Sequence, residues 1–106
     1  MLIWTEPAKK DVMNYIDTAK TGTEDNLKKY FLELINYIDV LNFMPYLGKK
    51  LNLLSVDLHI RQIIYKSHKI IYLVSTSNIY ILSVLHAKMD EVTIVSKIIA
   101  SLSNFS

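Results

Sequence analysis

The hydrophobic period changes once along this chain, and that change limits what it can fold into. In the first forty or so residues, apolar side chains recur at helical spacing, as in Val12, Ile16 and Ala19, then Leu27, Phe31, Leu34, Ile38 and Leu41. From Val56 onward the spacing is that of strands. The runs 56–64, 69–74 and 79–86 are separated only by YKSH and STSN. Connections this short join antiparallel neighbours, because a parallel pair needs a longer crossover. The second half is therefore expected to be a three-stranded meander. In its first strand Val56, Leu58, Ile60, Gln62 and Ile64 share one face, with Asp57, His59, Arg61 and Ile63 on the other. KIIYLV is apolar on both faces, as a central strand is. In the last strand, Ile79, Ile81, Ser83 and Leu85 are expected opposite Tyr80, Leu82, Val84 and His86.

The first half reads as a short strand, Leu2–Thr5, and two helices. Pro7 suits a first helical turn, so one helix is expected over Pro7–Lys20 and stopped by Gly22. Thr23 or Asp25 would cap the next, which runs to about Asn42, short of Pro45. The brief link makes these an antiparallel helical hairpin. MPYLGKKLNLLS reads as a loop. Asp90 is placed to cap a last helix whose stripe would be Val92, Val95, Ile98, Ile99 and Leu102. The order β-α-α-β-β-β-(α) gives an α+β fold with a helical hairpin packed on one face of a twisted antiparallel sheet. Residues 1–106 are expected to form one domain, with 90–106 as a C-terminal helix or tail.

Composition narrows the function. Hydrophobic residues make up 51% of the 106, with two Gly and two Pro, which is an ordered globular composition. There is no Cys, so disulfides and thiolate zinc sites are excluded. No apolar run approaches the roughly 18 residues of a membrane span, and the N-terminal residues lack the apolar core of a signal peptide. A cytoplasmic protein with no membrane partner is expected. His59, His68 and His86 lack metal-ligand spacing, and no phosphate-loop or dinucleotide motif occurs. No metal or cofactor is expected.

Charge is unevenly spread. Residues 1–43 carry five Lys against seven acidic residues, whereas residues 44–89 carry Lys49, Lys50, Arg61, Lys66, Lys69 and Lys88 against Asp57 alone. A basic half suits an acidic or phosphate-rich partner, although solvated lysines give the same count. Arg61, Lys69, His86 and Lys88 fall at strand positions or ends, so the meander is expected to gather them on one concave patch of an open sheet face. Arg61 would supply a fork for phosphate or carboxylate, Lys69 and Lys88 point charges, and His86 a general acid or base. Alternatively, Arg61 pairs with a structural carboxylate such as Asp57 or Asp90, and Lys49 and Lys50 are solvated loop charges.

IWTEPAKKDVMNYI, MPYLGK and IRQIIYKSHKIIYLVSTSNIYILSVLHAKMD occur in an order that resembles the RelE/ParE superfamily of bacterial toxins from type II toxin–antitoxin modules. The resemblance rests on Trp4, Ala8, Asp11 and Ile16, on the Pro45-x-x-Gly48 corner, on Arg61, on HKIIY and on LHAKMD, and spans residues 2–90. Lys69 stands where the family usually has Arg, and Ala87-Lys88-Met89 where it has Gly-Arg-Arg. The pattern is more similar to the ParE branch. That implies a toxin that binds and inhibits DNA gyrase, with Arg61, Lys69, His86, Lys88, Lys49 and Lys50 as binding residues. It also implies a cognate antitoxin, held with the toxin in a hetero-oligomer. The RelE branch implies instead a ribosome-dependent mRNA endoribonuclease. There Arg61 and Lys69 would hold the scissile phosphate, His86 would activate the ribose hydroxyl and Lys88 would stabilise charge. A third implication is a non-toxic remnant that only binds antitoxin.

Overall fold

The computed structural model describes residues 1–17, 24–51 and 59–102. The expected Lys20–Gly22 helix end, the Thr23 cap and the strand start at Val56 lie outside these residues. In chain order the elements are β1 (Leu2–Trp4), α1 (Glu6–Asp17), α2 (Glu24–Ile38), a 3-10 turn (Asp39–Asn42), β2 (Lys49–Lys50), β3 (Ile60–Tyr65), β4 (His68–Val74), β5 (Ile79–His86) and α3 (Glu91–Leu102). Among the described residues, five strands form one sheet in the order β1-β5-β4-β3-β2. The α+β fold and the β3-β4-β5 meander are as expected. The wholly antiparallel sheet is not, because β1 pairs parallel to β5. Lys49 and Lys50, expected in a loop, pair with Gln62 and Arg61 as the edge strand β2.

The helices form where local chemistry starts them. Thr5 caps α1, accepting the Ala8 N–H at its hydroxyl (3.4 Å) while donating that hydroxyl to the Ile81 carbonyl (2.7 Å). One interaction thus both starts α1 and ties it to β5. Ala8 and Val12 of α1 and Phe31, Leu34 and Ile38 of α2, with Leu41 beyond, are buried against Ile63, Ile70, Tyr72, Ile79, Ile81 and Val84. Each such aliphatic side chain contributes about 1.5–3 kcal/mol relative to exposure.

The last strand departs from simple alternation. Ile71 pairs with Ser83 but Tyr72 pairs with Ile81, so Leu82 is an extra residue, a β-bulge. The bulge reverses which parity faces the hairpin. Ile79 and Ile81 share a core with Val84, while Leu82 and Leu85 share the other. The expected grouping of Ile79, Ile81, Ser83 and Leu85 on one face is therefore corrected.

The second sheet face is not wholly open. Ile94 and Ile98 of α3 pack there on Ile60, Ile71, Leu82 and Leu85. Asp90 caps α3 as expected, accepting the Thr93 N–H at 2.8 Å, and hydrogen bonding to the Thr93 side chain and then to that N–H draws its carboxyl below the usual range. The expected stripe is right in part: Ile98 is buried and Leu102 packs beside it, but Ile94 and Ser101 are buried too, while Val92 is 77% exposed and Ile99 also faces solvent. The polar bulge sets the phase, because the Ser101 hydroxyl donates to the Leu82 carbonyl at 2.6 Å. Asp11 of α1 completes the join by accepting the Val84 N–H (3.0 Å) and pairing with Lys97 of α3 (3.1 Å).

Candidate functional site

Arg61 sits on β3 with its side chain on the hairpin face, two residues from the buried Ile63. Its Nε–H donates to Nε2 of His59 at 2.6 Å, and its Nη1 donates to the carbonyls of Tyr46 (3.3 Å) and Gly48. Its guanidinium lies 5.1 Å from the centre of the Tyr46 ring, and that ring stacks on His59. Burial lowers the His59 pKa, and the charges of Arg61 and Lys50 lower it further. Arg61 thus holds the corner between the 3-10 turn and β2. Among the described residues no carboxylate pairs with it, Asp90 included. Asp57, the other acid expected as its partner, lies outside them.

The same corner is held from below by Tyr72. This fully buried side chain accepts the Gly48 N–H at its hydroxyl (2.8 Å) and donates to the Pro45 carbonyl (2.9 Å). Burial raises its pKa. A Cβ at Gly48 would lie 2.7 Å from that hydroxyl and closer still to the Gln62 carbonyl. The close approach of two backbones is why this position is glycine.

A second polar group lies at the opposite end of the meander. His68 opens β4, is buried, and faces His86, the last residue of β5, with ring centres 5.9 Å apart. The Tyr30 hydroxyl is 2.7 Å from His68 Nδ1, and Tyr15 and Phe31 pack edge-on against the ring. Burial and then the neighbouring His86 lower the His68 pKa. Lys66, at φ 50°, holds its ammonium near the Tyr30 and Tyr65 rings. The Lys88 N–H donates to His86 Nδ1 at 3.2 Å.

The six residues singled out in the sequence therefore separate. Lys50 is the cross-strand partner of Arg61, and Lys49 is beside it on the edge. His86 and Lys88 stand with His68 at the other end. Lys69 pairs with Ile64 and Leu85, so it shares the α3 face of the sheet, while Arg61 lies on the hairpin face. Three residue steps along β3, roughly 10 Å, also separate Arg61 from the pair Ile64–Lys69. The expected single patch of Arg61, Lys69 and Lys88 does not form. Sequence reading noted that His59 and Arg61 share a face, but it missed Tyr46, Tyr72 and Gly48 as one unit. A tyrosine in an otherwise aliphatic central strand was the available signal, since a buried phenol needs a partner.

One further surface concerns partners. Trp4, Lys9, Val12, Met13 and Ile35 line a shallow cleft of about 340 Å³ along the helical hairpin. No helix among the described residues is long and apolar enough to cross a membrane.

Residues 2–91 match a family model described as the ParE toxin of type II toxin-antitoxin system, parDE. Among solved structures, the chain is similar to one of the chromosomal ParDE TA system from P. aeruginosa, with a TM-score of 0.68 and 17% identity over 82% of this chain and 95% of that chain. At that identity the likeness is one of fold. A comparison with curated proteins gave no match.

Proposed function

The chain belongs to the ParE toxin family of type II toxin–antitoxin systems, and from that premise we propose that it inhibits DNA gyrase by binding it as a protein, and that a cognate antitoxin silences it. The observation that carries this reading is the separation of Arg61 from Lys69. Phosphodiester cleavage needs its phosphate-binding and acid–base groups within hydrogen-bond reach of one scissile bond. Here Arg61 is spent on backbone carbonyls of its own corner, and Lys69 lies on the other face of the sheet. A binding function asks only for a surface.

The antitoxin reading is supported by the apolar cleft along α1 and α2. A segment that is disordered alone can fold there and bury an apolar stripe. Co-expression with the neighbouring gene product and size-exclusion chromatography would yield a hetero-oligomer.

Induction from a tight promoter tests the target. Filamentation and an SOS response with intact mRNA are expected, as is loss of supercoiling by purified gyrase when the toxin is added. Rapid translation arrest with mRNA cut at the ribosomal A site would overturn gyrase inhibition in favour of RNA cleavage. Normal growth would leave an antitoxin-binding remnant.

A further inference from the structure

Residues 43–47 read FMPYL, and four of the five expose large apolar side chains: Phe43 (87%), Met44 (51%), Tyr46 (61%) and Leu47 (42%). The other strongly exposed apolar residues, such as Met13, Leu32, Ile64 and Val92, are dispersed along the chain. Dispersed exposure is ordinary, whereas a contiguous apolar patch marks an interaction site.

The backbone beneath these side chains is fixed. The Phe43 and Met44 N–H groups both donate to the Val40 carbonyl at 3.0 Å, and the Leu47 N–H donates to the Met44 carbonyl at 3.1 Å. Tyr72 clamps Pro45 and Gly48, and Arg61 clamps Tyr46 and Gly48. A buried phenol and a guanidinium thus hold a loop whose own side chains add little to the core. Such preorganisation lowers the ordering cost of binding. Lys50, close after the patch in sequence, is exposed on the sheet face of its cross-strand partner Arg61, and neither forms an ion pair among the described residues, while Lys49 belongs to the opposite face with Gln62.

We propose that this corner is the knob by which the toxin docks on its target protein, seated in an apolar pocket rimmed by carboxylates. The proposal rests on the gyrase reading, which supplies that target. The physical form of the surface selects the partner. A rigid protruding knob needs a ready-made cavity in a folded protein, while a disordered antitoxin segment needs a groove such as the one between α1 and α2. A second copy of this chain is disfavoured, because a two-fold contact would bring Lys50 and Arg61 against themselves. The cations instead match an acidic rim.

Two variants test it: Phe43→Ser with Met44→Ser, and Lys50→Glu. All three side chains are exposed, so folding should survive, and antitoxin affinity serves as the check. Each variant should raise the toxin concentration that half-inhibits gyrase supercoiling by about tenfold or more while binding antitoxin as before. If wild-type toxin inhibits gyrase and both variants inhibit it equally well, the docking surface is wrong and the gyrase reading stands. If wild-type toxin leaves gyrase untouched, the gyrase reading falls and the proposal with it. Loss of antitoxin binding with inhibition intact, or a wild-type dimer in sedimentation that the variants abolish, would overturn the proposal by assigning the corner to the antitoxin or to a second copy.

Discussion

His59 can accept the Arg61 Nε–H only while its ring is neutral, with its proton on Nδ1. His68 is neutral for a different reason: it is enclosed by Tyr15, Tyr30, Phe31 and His86 with no carboxylate among those neighbours. Both pKa values lie below the ordinary histidine value. The unfolded chain then binds protons before the folded one does, so stability is full above the unfolded pKa, near 6.5, and falls as pH drops from there toward the folded values. Urea unfolding should therefore have a lower midpoint at pH 5.5 than at pH 7.5, and His68→Gln should flatten the difference. A midpoint independent of pH would show that neither histidine is held neutral. The corner makes a second residue-scale prediction. Tyr72→Phe strands the Gly48 N–H and the Pro45 carbonyl, at about 1–3 kcal/mol. Gly48→Ala forces a Cβ onto the Gln62 carbonyl at a similar cost. Denaturant melts would measure both, and a variant as stable as wild type would remove that clamp from the account. Little of this was legible beforehand. Pro45, Gly48 and Arg61 could be singled out by type, but the phenol that joins Pro45 to Gly48 comes from β4, 27 and 24 positions after them.

Element boundaries were legible where one strong period met one strong stop. Phe31, Leu34, Ile38 and Leu41 are all buried as their spacing requires. The strand ends at Val74 and His86 are where STSN and the polar run after Leu85 place them, whereas Tyr65 and His68, read as part of the YKSH connection, extend β3 and β4 by one residue each. Faces were less legible than boundaries. One extra residue at Leu82 inverts the second half of β5, and alternation carries no mark of it. The phase of α3 was legible only in part for a related reason: its sequence is apolar nearly all round, so periodicity did not choose a side. The Ser101–Leu82 bond at the bulge did. Truncation separates the two phases. Ile98→Ala should cost about 2–5 kcal/mol, whereas Val92→Ala should stay within about 0.5 kcal/mol of wild type. Equal losses at both positions would restore the stripe read from sequence. Asp11→Ala should also weaken the join, by about 1–3 kcal/mol, because the Val84 N–H loses its acceptor.

At the scale of the molecule, the polar residues divide between two ends of the sheet and two of its faces. Lys69→Ala and His86→Ala are therefore expected to match wild type in their effect on growth after induction, since neither belongs to the corner. Colony counts after induction would check this, and rescue of growth by Lys69→Ala would point back to RNA cleavage. The basic half of the chain was visible in the sequence, but its convergence was not, because register decides which charges meet.

The strand made first, β1, lies beside the strand made last, β5, and α3 closes the far side of the sheet only after that. A nascent or nicked chain that stops before residue 79 has no neighbour for Leu2–Trp4 and no platform for Ile94 and Ile98. Interrupted synthesis before that point thus leaves pieces that cannot close the sheet, and the fold is all-or-none with respect to residues 79–102.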